Sequence, residues 1–147
     1  MRNRFHHAGL VVPDLDKGIA FYQALLGLKL LFRSAWTEEQ AATKDVINLS
    51  GSAAEYVMLE GNGYNIELFE YSAPAQMGDP SEDRPCDPGI RHIAFEFDDI
   101  EAASKRFVAA GGTMHHDPVD LGGTLAIYCR DPFGNIVELM QPVDAAA

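Results

Sequence analysis

The chain has 147 residues, 47% of them hydrophobic, with two cysteines and a formal net charge of −11. That length fits one compact domain or two small modules sharing a core, and no run approaches the roughly 20 apolar residues of a membrane-spanning helix. The acidity argues against nucleic acid as a partner, and Cys86 and Cys129 form neither a disulfide framework nor a CxxC redox or zinc pattern. Met1–Arg4 lead toward a strand without a signal-peptide apolar region, so a cytoplasmic protein is expected.

In chain order, "FHHAGLVV" (5–12) alternates as a strand and stops at Pro13. "DLDKGIAFYQALLG" reads as a helix capped by Asp14 or Asp16 and ended by Gly27. "LKLLFRSAW" (28–36), "EYVMLE" (55–60) and "YNIELFEY" (64–71) are strand-like. Residues 72–89, rich in Pro, Asp and Ser, read as a linker. Then come a strand, "IRHIAFEF" (90–97), a helix, "DDIEAASKRFVAAG" (98–111), and three further strand candidates, "GTMHHD", "TLAIYCR" and "NIVELMQ".

The order βαβββ occurs twice, and the copies keep register. His7 and His92, Asp14 and Asp99, Tyr22 and Phe107, and Gly27 and Gly112 are each 85 residues apart. Glu67 and Glu138 are 71 apart, so the first copy carries 14 extra residues, placed within 33–62 and read as a loop insertion over about 37–54. With Trp36 at its start, that insertion can form a lid over a cleft.

Strand periodicity assigns faces. Ile66 and Leu68 lie opposite Glu67, and Val137 and Leu139 lie opposite Glu138, so both carboxylates point away from the helices. The same rule separates His7 from Ala8, Leu10 and Val12, and His92 from Ile93, Phe95 and Phe97. Two histidines and two glutamates at equivalent places of a repeat suit a divalent first-row metal, with two octahedral positions left for substrate. His6, on the other face, and His115 and His116 are read as ordinary histidines, and Arg33, Arg84, Arg91 and Arg130 as surface charges.

At this point the sequence resembles the vicinal oxygen chelate superfamily of paired βαβββ modules. The segments that carry the resemblance are "HHAGLVVPDLDKGIAFYQALLGLKLL", "NIELFEY", "GIRHIAFEFDDIEAASKRFVAAGG" and "RDPFGNIVELMQP". It implies an α+β fold: a single domain over 1–147 of two tandem modules, 5–71 and 90–142, joined by 72–89, with a curved, cleft-enclosing mixed sheet and the helices outside. The set His7, Glu67, His92 and Glu138 is similar to that of glyoxalase I, implying one divalent ion, Zn, Ni, Co, Mn or Fe, and a homodimer whose site forms within one chain or across two.

The resemblance implies a lyase or isomerase acting on a small molecule with adjacent oxygens by proton transfer through a metal-bound enediolate. Glu138 is the first choice of base and Glu67 the second. Three alternatives stay open: a 2-acyl-CoA epimerase of the methylmalonyl-CoA type, whose family usually has Gln where Glu67 stands; an Fe(II) extradiol-type dioxygenase; and a non-catalytic antibiotic-binding protein. This chain departs from bacterial glyoxalase I at Val11, where the family has an arginine that helps hold glutathione, and at Leu121, where it has a basic residue.

Overall fold

The structure, a computed structural model, describes residues 3–143; Met1, Arg2 and residues 144–147 of the expected domain lie outside the described residues. In chain order the elements are β1 (His7–Val11), α1 (Leu15–Leu26), β2 (Lys29–Trp36), α2 (Ala41–Ile47), β3 (Ala53–Gly61), β4 (Tyr64–Ala73), a 3-10 turn (Pro80–Glu82), β5 (His92–Glu96), α3 (Ile100–Ala109), β6 (Val119–Asp120), β7 (Thr124–Arg130) and β8 (Ile136–Pro142). The chain divides after Gly78, inside the 72–89 segment, into two compact units. Each unit has its own four-stranded mixed sheet, ordered β1-β4-β3-β2 in the first and β5-β8-β7-β6 in the second. Among the described residues no helix is long and apolar enough to cross a membrane.

The helices start and stop where their caps dictate. Asp14 is extended and its carboxylate accepts from Lys17 N at 2.9 Å, while Gly27 ends α1 in the left-handed region with φ +66°. Asp99 caps α3 the same way, accepting from Ala102 N at 2.9 Å. α1 lies against β3 and β4, and α3 against β8. The strand faces turned toward the helices carry the cores: Val57, Leu59, Ile66 and Leu68 in the first unit, and Val137 and Leu139 in the second, are all essentially inaccessible.

Two segments differ from the sequence reading. The 37–54 insertion contains a helix, α2, and its base is closed by a buried hydrogen bond from Trp36 Nε1 to Ser52 Oγ at 3.1 Å. "GTMHHD" is not a strand: Thr113 makes an isolated bridge with Arg130, and pairing resumes only at Val119 with Ala126. Between those pairs the chain has five residues, 114–118, facing three, 127–129, so a continuous ladder cannot form. Pro118 also lacks the N–H a ladder needs.

The "DPFGN" segment is a tight turn organised by one carboxylate. Buried Asp131 accepts from Phe133 N and Asn135 N, both at 2.9 Å, and from Asn135 Nδ2 at 2.8 Å. Gly134 has φ +92°, and a Cβ there would fall 2.4 Å from Ser81 N, so the turn requires glycine. This turn launches β8 and thereby sets where Glu138 projects.

Candidate functional site

Each unit builds a histidine–glutamate pair in the same way. The first strand runs parallel to the last, with Gly9 opposite Glu67 in one unit and Ala94 opposite Glu138 in the other. The histidine two residues earlier lies on the same face as the glutamate. His7 Nε2 stands 3.1 Å from Glu67 Oε2, and His92 Nε2 stands 3.3 Å from Glu138 Oε2. Both histidine side chains are 37% exposed, and the glutamates 14% and 19%, so the carboxylates are substantially desolvated, and among the described residues the ion-pair partner of each is an imidazole.

These separations allow a test of the metal idea. Two donors bonded at about 2.1 Å to one ion are about 3.0 Å apart in an octahedron and about 3.4 Å apart in a tetrahedron. Both pairs fall in that interval, so each fits two adjacent coordination positions. The four sequence-selected residues are thus brought together two by two; among the described residues no group of three or more His, Cys, Asp and Glu stands together as a metal cluster.

Two neighbours of the pairs escaped the sequence reading. His6 Nδ1 lies 2.7 Å from His7 Nδ1, which leaves the Nε2 of His7 directed at Glu67. Tyr128 sits opposite Glu138 on β7, its ring centroid 4.7 Å from that of His92 and its hydroxyl 3.5 Å from His92 Nε2. Burial, and then the charge of Glu138, push the Tyr128 phenol above its usual range, so it stays a protonated donor. In the first unit Met58 occupies the place opposite Glu67, so the repeat carries no signal for Tyr128.

The arginines are engaged within their own units. Arg33 bridges Glu55 at 2.9 Å and also pairs with Asp16, on the helix side of the sheet. Arg84 pairs with Asp87 at 2.6 Å and Arg91 with Asp83 at 3.2 Å. Arg130 is more than a surface charge: it is part-buried and donates to the carbonyls of Pro80, Asp83 and Gly134 at 2.6–2.9 Å.

Comparisons with known proteins agree with this architecture. The model of the Glyoxalase/Bleomycin resistance protein/Dioxygenase superfamily matches residues 4–139. A probable lactoylglutathione lyase of Vibrio parahaemolyticus is 32% identical, over 98% of this chain and 94% of its own. A 2-epi-5-epi-valiolone epimerase of an Actinomyces species is 30% identical, over 92% of this chain and 78% of its own. Among solved structures, a glyoxalase family protein from Bacillus cereus superposes with a TM-score of 0.86 at 21% identity, covering 97% of this chain and 96% of its own. A mutant of the fosfomycin resistance protein FosX of Listeria monocytogenes, in complex with Mn(II) and 1S,2S-dihydroxypropylphosphonic acid, gives 0.62 at 21% identity, covering 97% of this chain and 93% of its own. With the doubled His–Glu register and a family match over nearly the whole length, the chain belongs to the glyoxalase/bleomycin resistance protein/dioxygenase superfamily.

Proposed function

We propose that this protein is a metal-dependent lyase or isomerase of the glyoxalase I type, in which His7, Glu67, His92 and Glu138 ligate one divalent ion. The observation that carries this reading is the repeated pair, 3.1 Å in one unit and 3.3 Å in the other, at the same strand register. The names of the relatives support it: several are lactoylglutathione lyases, and one is an epimerase.

A bound divalent ion would polarise two adjacent substrate oxygens and stabilise the negative charge that develops on them in the transition state. The residues supply the rest. Glu138 takes the proton from the carbon beside the carbonyl. Tyr128, protonated and next to His92, is placed to donate a hydrogen bond to a substrate oxygen. Glu67 holds the equivalent place in the other unit and is the second candidate for proton transfer. Return of the proton to a neighbouring carbon is isomerisation, and return to the same carbon is epimerisation, so both names among the relatives describe one proton chemistry.

The test is deuterium exchange. Metal-loaded protein is incubated in D2O with hemithioacetals, α-hydroxyketones and acyl-CoA compounds, and the α-carbon is followed by NMR. Exchange or proton transfer with one of them is expected. No exchange with any, together with oxygen uptake on a catechol under Fe(II), would replace this reading with the dioxygenase one.

A further inference from the structure

The face of the first sheet that carries His7 and Glu67 also carries an aromatic cluster that the metal chemistry does not use. The register places Phe32 opposite Met58, Trp36 opposite Ala54, Tyr56 opposite Phe69 and Ala54 opposite Tyr71. Phe69 and Tyr71 follow Glu67 at intervals of two along β4, so all five rings share the Glu67 face. They form one connected surface. Trp36 lies 5.5 Å from Tyr56, 6.1 Å from Phe69 and 5.6 Å from Tyr71; Tyr56 and Phe69 stack at 5.7 Å and 16°; and Phe32 meets Tyr56 edge-on at 5.8 Å. Phe32 is 44% exposed, and Tyr56, Phe69 and Tyr71 are only half-buried.

Charge on this face is as telling as the rings. Glu67 is the charged residue of this face that stands in line with the rings, and Lys29 lies directly opposite a second carboxylate, Glu60, at the end of the sheet away from Trp36. Arg33, also on β2, is on the opposite face and tied to Asp16 and Glu55. An anionic tail lying over Trp36, Tyr56, Phe69 and Tyr71, whether a peptide carboxylate, a phosphonate or a pyrophosphate, would find an apolar surface beside Glu67, with Lys29 held opposite Glu60 at the other end. A flat uncharged ring finds edges and faces to pack on.

We infer that this face takes the aromatic ring of an uncharged aryl α-hydroxyketone, whose two adjacent oxygens are directed toward the His7–Glu67 pair. The adjacent-oxygen part rests on the proton-transfer reading above; the ring part rests on the cluster alone. An aryl substituent therefore binds better than a methyl one, and the gain is lost when the stacked pair is trimmed.

Trp36 is the chain's single tryptophan, so its emission reports on this face. Metal-loaded protein is titrated with 2-hydroxyacetophenone and with hydroxyacetone; affinity is read by calorimetry and location by Trp36 emission, corrected against free tryptophan. The aryl ketone should bind about tenfold tighter or more and perturb Trp36. Phe69→Leu and Tyr56→Leu, two independent variants checked for unchanged melting, should each weaken the aryl ketone about five- to tenfold and leave hydroxyacetone unaffected. Equal affinities, equal losses for both ligands, or an unmoved Trp36 would overturn the inference. So would a Trp36 signal that follows protein concentration and ignores the ketones, since a second copy would then cover the face. Deuterium exchange in the wild type separates the two claims: aryl preference kept without exchange defeats the proton-transfer reading alone.

Discussion

Gly9 lies directly opposite Glu67 in the parallel β1–β4 pair, two residues after His7, and Ala94 stands in the same relation to Glu138 and His92. The identity of register makes the two glutamates geometric equivalents, but their neighbours differ: Met58 lies across from Glu67 and Tyr128 across from Glu138. In the proposed mechanism, the hydroxyl of Tyr128 opposite Glu138 is what favours Glu138 over Glu67 as the residue that moves the proton.

Glu138→Gln keeps the size of the side chain and one oxygen donor but cannot accept a proton. Turnover should fall by about 10²- to 10⁴-fold, with metal affinity reduced far less, within about a hundredfold. Single-turnover rates and metal content measured on the same preparations check this. Retained turnover in Glu138→Gln with loss in Glu67→Gln would exchange the two roles.

The turn before β8 should be a point of structural weakness. Asp131→Ala removes the acceptor of three hydrogen bonds in a buried turn and should cost about 2–3 kcal/mol. Gly134→Ala forces a Cβ into the backbone of Ser81 at φ +92° and should cost at least as much. Urea unfolding with an unchanged m value reads both, and a shift below about 0.5 kcal/mol in either would contradict the role given to the turn.

The two cysteines should behave differently. Burial pushes the Cys129 thiol up to about 12, whereas Cys86 is exposed. At pH 8 a thiol reagent should label one site rapidly in the folded protein and two in the unfolded. The folded state holds the Cys129 proton longer than the unfolded state, whose thiol titrates near 9.0. The contribution of this group is therefore present below about pH 9 and is lost as pH rises toward 12. Cys129→Ala should flatten that alkaline loss, and an unchanged alkaline slope would contradict it.

How far the sequence predicted this protein can be followed residue by residue. The placing of His7 with Glu67 and of His92 with Glu138 on one face of each sheet was legible because strand periodicity fixes faces and the repeat supplies each residue with a counterpart. The caps at Asp14, Gly27 and Asp99 were legible because capping is local chemistry. Tyr128 was not, because cross-strand register depends on the turn between β7 and β8, and the corresponding β3–β4 turn has a different length. α2 was read as loop because seven residues, "AATKDVI", carry too little periodicity to distinguish it. β6 moved from 112–117 to 119–120 because two surplus residues and Pro118 interrupt the ladder.

If the two His–Glu pairs serve one ion, as proposed, Co(II) titration of the metal-stripped protein, followed by visible absorption, will show it. Wild type should take up one Co(II) per two pairs, and His7→Ala, Glu67→Ala, His92→Ala and Glu138→Ala should each weaken that single event by about tenfold or more. Binding that survives unchanged when the His7–Glu67 pair is removed, or when the His92–Glu138 pair is removed, would show that the pairs do not share a metal and would contradict the account.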